Sequence, residues 1–255
     1  MKVSLSNGVF SSLPLSENLA SVRQLGFGGL EFNMKSVEKQ ADDSPLPAKK
    51  LVAACGLKCL TLHAASLNVQ REGEVATAIY YGLVSADFAH ALSAPIMVVH
   101  SNVSRKLPEE QRLRFLAEIF GELNRCAKKL HLRLALENLS YASSGYGKNV
   151  AELEEIFSVI DDGTMGFTLD FCHATATGQT SQLLEAFHDR LCNVHLSNRA
   201  HKPFTAENQN LNIFLKSLRD YGYGGPLTLE LSRKCAHQEI LRTKATVEES
   251  LSRLP

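Results

Sequence analysis

Short apolar runs recur along the whole chain, and segments with helical periodicity separate them. Eight runs have the length and composition of β-strands: 2–6, 28–33, 58–63, 95–100, 133–137, 166–170, 193–196 and 226–231. Apolar side chains at spacings of three and four predict amphipathic helices at 112–131 and 151–160. Eight strands that alternate with about eight helices predict an α/β fold, a single-domain (β/α)8 TIM barrel over residues 1–255. A doubly wound open sheet is the alternative.

Within these strands, apolar and polar residues alternate with a period of two. One face is large and apolar, as at Leu62, Val99 and Leu169, which suits burial beneath helices. The opposite face is polar, and its charged or ionisable members fall at or near the carboxyl ends of the strands: Glu31, His63, His100, Glu137, Asp170, His195 and Glu230. In a TIM barrel this face points inward, and the carboxyl ends of the strands form the catalytic face. The pattern therefore predicts a polar cluster at the barrel mouth.

Three carboxylates of this face, Glu137, Asp170 and Glu230, would repel one another in a cleft of low dielectric unless a proton or a cation lay between them. With His195 they offer three oxygens and one nitrogen to a divalent ion. Mn²⁺, Mg²⁺, Co²⁺ or Zn²⁺ would fit this set, and its richness in oxygen favours the harder ions. The alternative is a buried ionic network without metal. His63 and His100, each taken alone, are also compatible with hydrogen-bonded core histidines.

The composition of the chain limits the binding partners and the cellular compartment that we expect for the protein. Basic and acidic residues are equal in number, 27 each, so bulk charge favours neither nucleic acid nor an anionic membrane. The first residues lack the apolar core of a signal peptide, no apolar run reaches the length of a membrane span, and the six cysteines form no CxxC pair. We therefore expect a cytoplasmic protein with reduced, buried thiols and no membrane partner. The glycine clusters precede strands, and GxSxG and P-loop motifs are absent, so dinucleotide, serine-hydrolase and P-loop chemistry have no support.

Four strand-end segments carry a resemblance to a known family. They are "LALENL" with Glu137, "TLDFCHA" with Asp170 and His173, "NVHLSN" with His195 and "LTLELS" with Glu230. In combination, and along the chain from first strand to last, they resemble the xylose isomerase-like TIM-barrel superfamily, which includes sugar isomerases, 3-epimerases, inosose dehydratases and endonuclease IV. The resemblance implies that Glu137, Asp170, His195 and Glu230 bind one ion, Mn²⁺ or a similar metal. It also implies that Glu137 and Glu230 exchange a carbon-bound proton and that His173 contacts substrate hydroxyls.

The function expected from these residues is metal-dependent isomerisation or epimerisation of a small sugar, ketose or polyol-derived substrate through an enediolate. Candidate substrate-binding residues are His63, His100, His173, Arg199, His201 and Glu31. Arg199 or His201 can bind a phosphate or carboxylate of the substrate, and Arg199 is equally compatible with a solvated loop. Glu31 either accepts a substrate hydroxyl or pairs with Arg133. Barrels of this family often pair, so the resemblance is compatible with a homo-oligomer.

Two alternatives belong to other classes. An endonuclease IV-like zinc phosphodiesterase, an AP endonuclease, would use His63 and His100 at matching strand ends together with the Asp170-x-x-His173 segment. Two departures count against it: Arg199-Ala200-His201 replaces the Asp-x-His of that family, and "KPFTAENQN" at 202–210 replaces its glycine-bearing loop. The neutral net charge also leaves little surface for DNA, so nucleic acid is not an expected partner. The third possibility is a barrel that binds a metabolite without converting it.

Overall fold

Eight parallel strands close into a barrel in the order in which they occur along the chain. The computed structural model describes residues 1–37, 43–160, 163–204 and 208–254. The strands are β1 Lys2–Ser6, β2 Gly29–Asn33, β3 Lys58–His63, β4 Ile96–His100, β5 Arg133–Glu137, β6 Gly166–Asp170, β7 Leu191–Leu196 and β8 Pro226–Leu229. Because β1 pairs with β8 as well as with β2, the sheet has no edge. The TIM-barrel prediction is confirmed and the open-sheet alternative is wrong.

Within the described residues, nine α-helices accompany the barrel: α1 Leu15–Gln24, α2 Leu46–Ala54, α3 Val75–Ala91, α4 Glu109–Lys129, α5 Val150–Ile160, α6 Phe171–Thr177, α7 Thr180–Phe187, α8 Gln209–Asp220 and α9 His237–Ser252. Both predicted amphipathic segments are helical, as α4 and α5. The buried face of α4 includes Leu116, Ile119 and Leu123, each fully buried. Burial of each such side chain stabilises the fold by about 1.5–3 kcal/mol. Two helices, α6 and α7, follow β6, which accounts for the number above eight. None of the described helices is long and apolar enough to cross a membrane.

Alternate residues of each strand face opposite sides of the barrel wall, one set toward the helices and the other toward the barrel interior. The outward residues Leu62, Val99 and Leu169 are fully buried under the helices. The register aligns His100 with Glu137 on neighbouring strands, and Asp170 with His195. These inward side chains therefore lie at one level of the barrel, at its carboxyl end.

Strand β8 ends at Leu229, two residues earlier than predicted, so Glu230 follows the strand. Its backbone N–H still donates to the carbonyl oxygen of Leu196 at 3.2 Å. This hydrogen bond keeps Glu230 against the end of β7, with the other polar residues of the mouth.

The six cysteines are all free thiols. Cys59, Cys172 and Cys192 are buried, whereas the other three are partly exposed. The expectation of buried thiols therefore holds for half of them.

Candidate metal centre

One imidazole nitrogen lies among three carboxylates at the barrel mouth. The Nδ1 atom of His195 is 3.2 Å from Glu137 Oε1, 3.4 Å from Glu230 Oε2 and 4.0 Å from Asp170 Oδ2. We call these four residues, Glu137, Asp170, His195 and Glu230, the central cluster. One ligand atom from each lies within 4.8 Å of all the others. The structure thus brings together all four residues predicted as metal ligands.

Glu31 orients the ring of His195 by contacting Nε2, the ring nitrogen on the side away from the three carboxylates. This Nε2 atom lies 2.9 Å from Glu31 Oε2, which also accepts a hydrogen bond from Thr61 Oγ1 at 2.9 Å. Because a carboxylate accepts the Nε2 proton, a neutral His195 directs the lone pair of Nδ1 toward the three carboxylates. A histidine held in one tautomer by a carboxylate is the usual arrangement of a metal-binding imidazole.

The central cluster contains only acceptors when His195 is neutral and the three carboxylates are ionised. Both oxygens of Glu137, Asp170 Oδ2 and His195 Nδ1 are buried and have no hydrogen-bond partner among the described residues. Buried polar atoms are almost always satisfied, and unpaired buried charge costs several kcal/mol. A divalent cation would satisfy all these atoms at once. The donor set, three oxygens and one nitrogen, fits such an ion.

Asp170 owes its orientation to the junction between β6 and α6. It is the N-cap of α6, and its Oδ1 accepts a hydrogen bond from the His173 backbone N–H at 2.6 Å. Asn138 fixes the same junction, because its Oδ1 accepts from Asp170 N at 2.8 Å and its Nδ2 donates to Asp170 O at 3.2 Å. Asp170 Oδ2 is thereby left for the central cluster. No role was predicted for Asn138; the sequence feature that could have indicated one is an amide directly after the strand-end carboxylate Glu137.

His63 and His100 lie on the other side of Glu137. Their Nε2 atoms are 3.5 Å and 3.1 Å from Glu137 Oε2. His63 Nδ1 lies 3.1 Å from the carbonyl oxygen of Ala64, an acceptor that holds the proton on Nδ1. The pair and Glu137 form a second group with the spacing of metal ligands, which shares Glu137 with the central cluster.

His173 and His201 form a third group with Asp170. Their Nε2 atoms are 3.2 Å apart, while each Nδ1 faces a carbonyl oxygen, that of Asn138 for His173 and that of Glu230 for His201. Ser197 Oγ also lies 3.3 Å from His201 Nδ1, so a neutral His201 can accept a hydrogen bond there and donate its Nε2 proton to His173; with both Nδ1 atoms protonated, the two Nε2 lone pairs would face each other and could bind a cation. His201 and Ala200 both have positive φ, +52° and +60°. This left-handed turn costs about 1–3 kcal/mol per residue, and it carries His201 to the mouth.

The carboxylates differ in their affinity for protons. Burial, with the charges of Glu137 and Glu230, raises the pKa of Asp170 to about 8. Burial also raises the pKa of Glu137 and of Glu230, but nearby imidazoles outweigh it. The His195 and His100 rings hold the pKa of Glu137 well below its ordinary value, and His195 chiefly lowers that of Glu230 to about 2. Burial lowers the pKa of His195, yet Glu137 and Glu31 raise it well above its ordinary value. Protons thus occupy Asp170 and His195 at neutral pH when no metal is bound.

The remaining predicted residues lie in different surroundings. Glu31 is fully buried, and its contacts indicate that it orients His195; a contact with substrate stays a prediction. The pairing of Glu31 with Arg133 is wrong, because Arg133 is exposed and its Nη2 donates to the Arg190 carbonyl oxygen at 3.3 Å. Arg199 is exposed, and its substrate-binding role also stays a prediction. Of the altered loop at 202–210, residues 205–207 lie outside the described residues.

A cavity of about 590 Å³ opens beside the central cluster. Glu230 of the central cluster and His201 line it, together with the buried Asn33 and the exposed Lys35 and Arg233. The volume is in the range of small-molecule sites.

The fold and this cluster define the class of protein. The chain belongs to the xylose isomerase-like TIM barrel family, whose profile matches residues 19–254. An uncharacterized protein of Methanocaldococcus jannaschii is 22% identical over 98% of this chain and 95% of its own length. A solved structure of L-ribulose 3-epimerase is similar with a TM-score of 0.85 and 15% identity, over 99% of this chain and 95% of that one. The zinc-containing structure of the IOLI protein has a TM-score of 0.76 and 18% identity, over 100% and 99% of the two chains.

Proposed function

We propose that the protein is a divalent-metal-dependent isomerase or epimerase of a small sugar, ketose or polyol-derived substrate. The observation that carries the proposal is the acceptor-only environment of His195 Nδ1, which faces three carboxylates and no donor. The similarity in fold to an L-ribulose 3-epimerase supports a sugar as the substrate. The oxygen-rich donor set favours Mn²⁺ among the divalent ions.

The central cluster would hold the ion. When bound there, such an ion polarises a carbonyl and an adjacent hydroxyl of the substrate and stabilises the negative charge of an enediolate. Asp170 and His195 are assigned the role of ligands alone. Glu31 and Asn138 keep these two ligands in place through the hydrogen bonds described above.

Glu137 and Glu230 are the acid–base pair of this proposal. Nearby imidazoles lower the pKa of both, so either can begin the reaction as the ionised base that accepts a proton from carbon. One carboxylate breaks a C–H bond of the substrate and takes the proton, and the electron pair forms the enediolate. The other carboxyl group enters the step carrying a proton taken up from solvent, and transfer of that proton to the opposite face completes an epimerisation and leaves this group ionised. Glu230 is 20% exposed at the cavity, and Glu137 lies deeper, beside His63 and His100.

A screen of ketoses tests the proposal. Metal-loaded protein would be incubated with D-fructose, D-tagatose, D-psicose, D-ribulose, L-ribulose and their phosphate esters, and epimers would be separated by chromatography. We expect Glu137→Gln and Glu230→Gln each to lower turnover by about 10²–10⁴-fold. Glu118→Gln, at an exposed glutamate of α4, is the matched control and should keep wild-type turnover. Wild-type activity in both active-site variants would refute the acid–base assignment.

Two further ligand groups favour a second candidate, a multi-zinc phosphodiesterase. His63 and His100 share Glu137 with the central cluster, and His173 and His201 share Asp170 with it. Zinc ions bridged by carboxylates can activate hydroxide against a phosphodiester. The test is a nicking assay on duplex DNA with a single abasic site, with zinc-loaded protein. Cleavage that is lost in His63→Gln and His173→Gln would favour this candidate over the epimerase.

A further inference from the structure

The cavity beside the central cluster lies where three loops meet. Strand β1 pairs with β8 on one side and β2 on the other, so the segments that follow these strands are neighbours at the mouth. Ser11 and Ser12 come from the segment after β1, Lys35 from that after β2 and Arg233 from that after β8, and all four line the cavity. We call these four residues the rim.

The rim carries positive charge without a partner. The side chains of Lys35 and Arg233 are exposed, and neither forms an ion pair or a hydrogen bond within the described part of the chain. Glu230 is the one acidic residue among the described residues that line the cavity, and it belongs to the central cluster. Ser6 adds a buried hydroxyl, 1% exposed, whose oxygen has no hydrogen-bond partner in the described structure. The outer part of the cavity therefore offers cations and hydroxyls.

We propose that the rim is a subsite for an anionic group of the substrate, a phosphate monoester or a carboxylate on a carbon remote from the reacting one. The inference rests on the proposed function, because it names the substrate class of the same site. Charge-assisted hydrogen bonds from a guanidinium and an ammonium are about twice as strong as neutral ones. A neutral sugar would leave both cations unpaired, whereas an anionic sugar would pair them while its other end lies at Glu230.

Binding measurements test the subsite without relying on turnover. Isothermal titration calorimetry of the Mn²⁺-treated protein would compare D-fructose, D-fructose 6-phosphate and D-fructuronate, and D-ribulose with D-ribulose 5-phosphate. We expect an anionic member to bind at least about tenfold more tightly than its neutral counterpart. Lys35→Gln and Arg233→Gln should each remove about tenfold of the affinity for the anionic sugar and leave that for the neutral sugar unchanged.

Lys234→Gln is the matched control, because Lys234 is exposed next to Arg233 and does not line the cavity. It should bind every ligand as the wild type does. Tighter binding of the phosphates assigns the subsite to phosphate, and tighter binding of the uronate assigns it to carboxylate. Equal affinity for neutral and anionic sugars, or equal losses in Lys234→Gln and Arg233→Gln, would overturn the proposal.

The subsite and the proposed function fail in different ways. Conversion of neutral ketoses without preference for an anion would refute the subsite and leave the epimerase. Tight binding of the anionic sugars that depends on Lys35 and Arg233, without conversion of any ketose, would support the subsite and refute the epimerase.

Discussion

The central cluster and the rim lie in one barrel mouth and have opposite chemistry. The central cluster is buried apart from Glu230, and with His195 neutral and its carboxylates ionised it consists of acceptors, several of which have no hydrogen-bond partner among the described residues. The rim is exposed and presents two cations and two hydroxyls. A cation suits the first and an anion suits the second. The charge of the mouth therefore changes from an acceptor-rich interior to a cationic outer rim.

The largest expected effect comes from putting a donor into the acceptor-only cluster. Asp170→Asn keeps the N-cap oxygen of α6 but replaces the proposed ligand oxygen Oδ2 by an amide nitrogen, which donates hydrogen bonds and cannot ligate a cation. Loss of residues behind metal ligands costs about 10–100-fold in affinity, so loss of a ligand should cost at least about 100-fold. Titration calorimetry with Mn²⁺ measures this. Asp189→Asn, at an exposed aspartate, is the control, and equal Mn²⁺ affinity in both variants would contradict the account.

A smaller loss of Mn²⁺ affinity is expected from substitution of Glu31, which contacts His195 without belonging to the central cluster. Glu31→Gln retains an oxygen that can accept the Nε2 proton of His195 but removes the negative charge. We expect Mn²⁺ affinity to fall by about tenfold, at the lower end of the range for such supporting residues. Glu17→Gln, at an exposed residue of α1, is the control. If Glu31 instead bound substrate alone, the KM for the ketose would rise while Mn²⁺ affinity stayed unchanged.

Metal binding to the central cluster should release protons. The pKa of Asp170 is raised to about 8 and that of His195 lies well above its ordinary value, so at pH 7 both carry a proton that the metal must displace. Affinity for Mn²⁺ should therefore rise as the pH rises up to and through about 8, where Asp170 loses its proton. Calorimetry in two buffers of different ionisation enthalpy should show release of about one to two protons per ion. Absence of proton release would mean that the ion binds elsewhere.

The smallest effect is expected from a substitution among the uncharged polar side chains inside the barrel, Ser4, Thr228 and Asn193, which do not belong to the central cluster. Ser4 Oγ and Thr228 Oγ1 are fully buried and lie 3.0 Å apart, and Thr228 also donates to Asn193 Oδ1 at 3.3 Å. Ser4→Ala should lower the free energy of unfolding by about 1 kcal/mol, or Tm by about 2–4 °C. Thermal melts and Mn²⁺ titration measure both quantities. A change in Mn²⁺ affinity would show that these uncharged side chains support the metal centre.

The central cluster was predictable from sequence because strand parity and register determine where its side chains lie. Glu137 and Asp170 occupy the last position of their strands, and alternation alone assigns them to the inner face. The rim was not predictable, because Lys35 and Arg233 lie in connecting segments whose conformations alternation does not describe. The same holds for Asn138, whose role depends on two backbone hydrogen bonds across the β5–β6 junction. Glu31 was correctly assigned to the inner face, but its contact with the far side of His195 required the closed barrel.

The most direct test of the account is the number of metal ions per chain. Untagged protein, purified without chelator and equilibrated with Mn²⁺ or Zn²⁺ before desalting, would be measured by elemental mass spectrometry. We expect about one divalent ion per chain, lost in Asp170→Asn and retained in Asp189→Asn. Absence of metal under all these conditions would contradict the central claim that the acceptor-only cluster is a metal site. Two or three zinc ions per chain would contradict the single-ion epimerase and favour the phosphodiesterase.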